Sequence, residues 1–202
     1  MTEVLLFHHA QGLTAGCDAF AHRLRAAGHV VHAPDLYEGR TFSSLDDGVA
    51  HAQRIGFGAI IERGRLAAGE LPAEIVYAGF SLGVMPAQAL AQTRPGALGA
   101  VLMHACVSPS ELGGSWPPGL PLQIHTMEDD DWGDVPVARE LAATIESAQL
   151  FLYPGDRHLF ADDSLADYDE TAASLLEQRV LAFLERLDEE PGPQASGGRA
   201  SG

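Results

Sequence analysis

Short apolar runs alternate with longer amphipathic stretches along the chain. The runs are Val4–Phe7, Val30-Val31, Ile75–Ala78, Ala100–Met103, Leu122–His125 and Gln149–Tyr153. None alternates cleanly between apolar and polar positions, as expected of strands covered on both faces. Helical patterns lie between them. Thr14 is a candidate cap for a helix through Ala27, which Gly28 stops. A second pattern spans about Asp47 to Ala67 and is weakened by Gly56 and Gly58. Leu82–Thr93 follows, with Pro86 near its first turn, where proline is tolerated. Val137–Ile145 and Leu175–Leu187 complete the set, the last with Leu176, Val180, Phe183 and Leu187 as its apolar stripe. This strand–helix repetition predicts an α/β fold, a mostly parallel sheet of about six strands with helices on both faces. One domain is expected over residues 1–187. The tail from Asp188 is rich in Glu, Pro, Gly and Ser and is expected to be disordered.

Charge narrows the partners. Asp and Glu outnumber the basic residues 28 to 12, for a formal net of −16, and every basic residue is Arg. A field of that sign repels phosphate backbones and anionic lipid, which argues against nucleic-acid or membrane partners. The first apolar run is too short for a secretory core and no run is long enough to span a membrane, so the cytoplasm is the expected location. Cys17 and Cys106 are the only cysteines and form no CxxC; both read as small core residues.

The densest local motif is Gly79-Phe80-Ser81-Leu82-Gly83. It matches G-x-S-x-G and stands between a predicted strand and a predicted helix, the context in which that motif forms a nucleophile elbow. A sharp turn there needs small residues two positions either side of the serine. It lifts the hydroxyl above the sheet and aims backbone N–H groups at an oxyanion. A base is available at His158, in the loop after the last strand. Strand carboxyl ends of a parallel sheet share one rim, so Ser81 and His158 can meet. An orienting acid is expected between them in chain order. Glu128-Asp129-Asp130-Asp131 follows the fifth strand, and spacing alone does not choose among Asp129, Asp130 and Asp131. The run lacks the oxygen spacing of a calcium loop, and the chain has no HExxH, so no metal or cofactor is expected. Candidate oxyanion donors are the backbone N–H of Leu82 and, from the loop after the first strand, those of His9 or Ala10. The side chains of His8 and His9 read as packing or pocket-lining groups. Tyr37–Asp46 and Ser108–Gly119 are candidate pocket walls, with Arg40, Trp116, Trp132 and Phe160 as candidate recognition residues.

With these motifs the chain resembles the dienelactone hydrolase family of the α/β hydrolases. The similarity runs from the first strand to about Leu187. It is carried by His29–Tyr37, Gly79–Gly83, Ile124 through Asp130, and Tyr153–Phe160. The resemblance implies the α/β-hydrolase fold. It places the family's acid on Asp130, its histidine on His158 and its nucleophile on Ser81. The family nucleophile is usually cysteine, so the serine argues against dienelactone itself as the substrate. Met127 replaces a glycine usual in the acid loop, and Phe7-His8-His9 has no obvious counterpart of the glutamate that tunes the cysteine. The family's extra N-terminal strands are expected to be reduced or missing. The implied activity is hydrolysis of a small or medium carboxylic ester or lactone through an acyl-enzyme. The rival readings are a non-catalytic binding protein of the same fold and an acyltransferase.

Overall fold

A computed structural model describes residues 1–189. Its sheet has the strand order β2-β1-β3-β4-β5-β6, and every neighbouring pair is parallel. The strands are β1 (Glu3–Phe7), β2 (Val30–His32), β3 (Val76–Phe80), β4 (Gly99–Met103), β5 (Leu122–Met127) and β6 (Ala148–Tyr153). Five contain the apolar run that the sequence marks, and β3 overlaps its run Ile75–Ala78 but starts one residue later, at Val76. β3, β4 and β5 are buried at every position, which is why their sequences do not alternate.

Helices cover both faces. Alternate residues of β1 divide between them: Val4 and Leu6 join one core cluster, Leu5 and Phe7 the other. α1 (Ala15–Ala26) and α6 (Glu170–Glu189) close the first face with Phe20, Leu24, Leu176 and Val180. α2 (Leu45–Ile55), α3 (Phe57–Ala68), α4 (Val84–Thr93) and α5 (Val135–Thr144) close the second with Ala52, Ile60, Leu90 and Leu141. Strand order reverses beside β1, with β2 on one side and β3 on the other. The crevice at such a switch point, beyond the strand carboxyl ends, is where ligands of open α/β sheets bind.

Two expectations need correction. The pattern from Asp47 to Ala67 is two helices, because Gly56 takes φ 89° and interrupts the backbone between them. The last helix starts at Glu170, where Asp169 accepts from the Ala172 N–H at 3.0 Å, five residues before its apolar stripe suggests. It also runs on through Asp188 and Glu189, so the expected tail begins in helix. The Asp188 carboxylate is held there by the Met1 amine at 2.6 Å and by the Thr2 hydroxyl. Residues 190–202, the rest of that tail, lie outside the described residues. Among the described residues, no helix is long and apolar enough to cross a membrane.

Candidate active site

β3 delivers Ser81 to the rim. The turn that follows is a short 3-10 segment, Ser81–Gly83, which leads into α4. Ser81 has φ 47°, a left-handed conformation that costs a non-glycine residue about 1–3 kcal/mol. The flanking glycines make the turn possible. A Cβ on Gly79 would lie 2.2 Å from the Gly83 carbonyl oxygen, and one on Gly83 would lie 2.5 Å from the Phe7 carbonyl oxygen.

Three loops converge on this point. Ser81 Oγ lies 2.7 Å from His158 Nε2, and His158 Nδ1 lies 2.8 Å from Asp130 Oδ2. Residues 77 and 28 positions apart thus form one unbroken hydrogen-bond chain. Asp130 is the buried member of the acidic run, 6% exposed, while Asp129 and Asp131 face solvent. Its second oxygen, Oδ1, accepts the Trp132 N–H at 2.9 Å. Both carboxylate oxygens are therefore occupied and the side chain cannot turn freely. An acid so placed keeps the imidazole proton on Nδ1 and leaves Nε2 free to accept from the serine.

Met127, where the family resemblance leads one to expect glycine, braces the histidine loop. Its Sδ accepts the Arg157 N–H at 3.2 Å, one residue before His158. Trp132 is 49% exposed, with its ring 6.2 Å from that of His158, and presents an apolar face beside it. Phe160 is instead fully buried against His104 and Tyr153. Trp116 is buried, with its indole N–H given to Leu120 O.

The loop after β1 lies next to the elbow. The Gly12 N–H donates to His9 O, and the Gln11 N–H donates to His9 Nδ1. Among the described residues, the His9 and Ala10 N–H groups make no such bonds, which leaves them as this loop's candidate oxyanion donors. The Tyr37–Asp46 segment supports the loop through Phe42, whose N–H donates to Gln11 O at 2.9 Å and whose carbonyl accepts from the Gln11 side chain. Ser108–Gly119 lies differently: Ser108, Gly114 and Trp116 line a cavity of about 530 Å³ against α5.

Neither histidine of the pair 8 and 9 hydrogen-bonds Ser81. His8 donates from Nδ1 to His9 O at 2.8 Å and accepts the Leu36 N–H on Nε2 at 3.0 Å, which makes it neutral. Burial lowers its pKa to about 4. His9 Nε2 lies 2.8 Å from Asp162 Oδ2. Sequence reasoning did not single out Asp162. It also passed over His104, a fully buried ring at φ 72° that stacks on Phe80 and lies 6.1 Å from the His158 ring. Burial keeps His104 neutral. Its Nδ1 has no hydrogen-bond partner among the described residues. Both Asp162 and His104 follow apolar stretches at strand-end loops, and no local spacing marks them.

A serine in a strand–helix elbow, hydrogen-bonded to a histidine and through it to a buried aspartate on an open parallel sheet, defines the α/β-hydrolase class. The chain belongs to the dienelactone hydrolase family, whose model matches residues 1–187. Solved structures repeat the fold at low identity. A dienelactone hydrolase-like promiscuous phosphotriesterase from metagenomic libraries is 19% identical, with a TM-score of 0.72, over 93% of this chain and 87% of its own. A protein described as a dienelactone hydrolase from Klebsiella pneumoniae is also 19% identical, with a TM-score of 0.71 over 92% of this chain and 87% of its own. Thermogutta terrifontis esterase 2, solved phosphonylated by sarin, is 17% identical with a TM-score of 0.63, over 92% and 84%. No curated protein sequence matches the chain.

Proposed function

We propose that the protein is a serine hydrolase of small or medium carboxylic esters or lactones, working through an acyl-enzyme on Ser81. The observation that carries this is the continuous chain from Ser81 Oγ to His158 at 2.7 Å and on to Asp130 at 2.8 Å. His158 Nε2 takes the hydroxyl proton as Oγ attacks the carbonyl carbon. The carbonyl oxygen becomes an oxyanion, held by the Leu82 N–H and an N–H from His9 or Ala10. As the tetrahedral intermediate collapses, the C–O bond breaks and His158 gives its proton to the leaving alkoxide. Water then enters, His158 takes one of its protons, and the acyl–Ser81 bond is cleaved to a carboxylic acid with the serine restored. Asp130 stays ionised throughout, fixing the ring and stabilising the transient imidazolium.

Trp132, with its ring 6.2 Å from that of His158, offers apolar contact beside Ser81, in keeping with a compact substrate with an apolar group. The test is a panel of 4-nitrophenyl esters and simple lactones. Wild-type protein should turn over members of both. Ser81→Ala and His158→Ala should lose about 10⁴-fold or more in kcat. Turnover surviving Ser81→Ala would reject the assignment. Products formed preferentially with an added alcohol or amine would convert it to acyl transfer.

A further inference from the structure

We propose that Asp162 is a positioning residue that acts through His9 to hold the candidate oxyanion loop in register with the histidine loop. The proposal rests on the serine hydrolase reading above. Asp162 lies four residues after His158, on the same loop. His9 lies on the loop after β1, 153 positions away in sequence, and the two side chains meet in a buried 2.8 Å contact. The carboxylate is saturated with donors. Oδ2 receives His9 Nε2, the Thr14 hydroxyl and, at 3.8 Å, the Cys17 thiol. Oδ1 receives the Ser164 N–H at 2.9 Å and its hydroxyl at 2.6 Å. Burial works against charge on Asp162, but these bonds outweigh it and hold its pKa well below the ordinary carboxylate range.

The His9 tautomer decides what the cluster is. His9, Cys17 and Asp162 bring one candidate ligand atom each within 4.8 Å of one another, a spacing that a metal ion could use. Burial works against a charged His9 ring, while the hydrogen bonds to Asp162 and Cys17 favour one. The Gln11 N–H, however, points at Nδ1 from 3.2 Å and needs its lone pair. The two pulls oppose each other. The amide contact acts directly on Nδ1 and leaves the single ring proton on Nε2, facing Asp162. An Nε2 that carries a proton has no lone pair for a cation. His9 is instead a relay from the Asp162 carboxylate to the Gln11 amide. That relay ties down the amide directly after Ala10, whose own N–H is a candidate oxyanion donor.

Asp162→Asn tests this with little change in volume. The Ser164 donors require the amide oxygen at Oδ1, so the amide NH₂ faces His9 Nε2. The His9 proton must then move to Nδ1, against the Gln11 N–H, and the loop loses its anchor. With 4-nitrophenyl acetate, kcat should fall about 10- to 100-fold while KM stays within about twofold. With the thionoacetate (C=S) analogue, the fall should be within about threefold, because the larger sulfur gains less from N–H donors. Amide hydrogen exchange at Gln11 and Gly12, measured without substrate, should quicken about tenfold while core amides in β3 and β4 do not change. Equal losses on both substrates, or an intact ester rate, would overturn the proposal, as would unchanged exchange at Gln11. The exchange result stands without turnover, so a wild-type protein inert to esters would sink the hydrolase reading without being mistaken for failure of this one.

Discussion

Replacing Asp130 by Asn changes one atom, and its consequence follows from two hydrogen bonds. Oδ1 accepts the Trp132 N–H at 2.9 Å, so the asparagine oxygen must stay on that side. The NH₂ group then takes the Oδ2 position, 2.8 Å from His158 Nδ1. Two donors cannot face each other, so Nδ1 gives up its proton and Nε2 acquires it. Nε2 now points a proton at Ser81 Oγ, 2.7 Å away, and cannot accept one. The geometry survives and the base is lost. In a well-studied serine protease the equivalent change lowers kcat by about 10⁴, roughly 5.4 kcal/mol of transition-state stabilisation. A loss of the same order is expected here. The assay is 4-nitrophenyl ester turnover by Asp130→Asn, beside Asp129→Asn and Asp131→Asn, whose exposed side chains should leave the rate within about threefold. Activity within tenfold of wild type in Asp130→Asn, or a larger loss in either neighbour, would refute this reasoning.

Other consequences are equally open to measurement. Burial holds three histidines neutral, with His8 lowered to about 4, His125 to about 3 and His104 well below its ordinary value. Unfolding would let each take up a proton below its ordinary pKa of about 6.5, so stability should rise with pH between 5 and 6.5 and be lost as pH falls through that window. The slope is at most about 1.4 kcal/mol per pH unit for each, or about 4 for the three, and urea unfolding at pH 7, 6 and 5 measures it; a flat profile would contradict their neutrality. Trp132→Ala should raise KM for aryl and long-chain esters several-fold more than for methyl acetate, by roughly 1–2 kcal/mol of lost apolar contact. Equal changes across the series would remove Trp132 from recognition.

Much of this arrangement is legible in the residues themselves. Six apolar runs mark the six strands because a parallel sheet buried on both faces permits little else. The elbow is legible because Gly79 and Gly83 stand where a side chain would strike backbone. Spacing does not separate Asp130 from Asp129 and Asp131; the family resemblance favours it, and burial with a doubly satisfied carboxylate distinguishes it in the fold. What stays hidden is long-range or cooperative. The Gly56 break needs a backbone angle that no periodicity reveals. The early start of α6 depends on an Asp169 cap lying outside the apolar stripe. The His9–Asp162 contact joins residues 153 positions apart with no motif around either. Met127 looks like a missing glycine in sequence and proves to be a brace for the loop that carries His158.

The account depends on Ser81 being an activated nucleophile. Intact-mass and peptide mapping after treatment with a fluorophosphonate reports this directly. One adduct per chain, on the peptide that contains Ser81, lost in Ser81→Ala and formed far more slowly in His158→Ala, is the predicted result. An unmodified chain, or an adduct on any other residue, would contradict it.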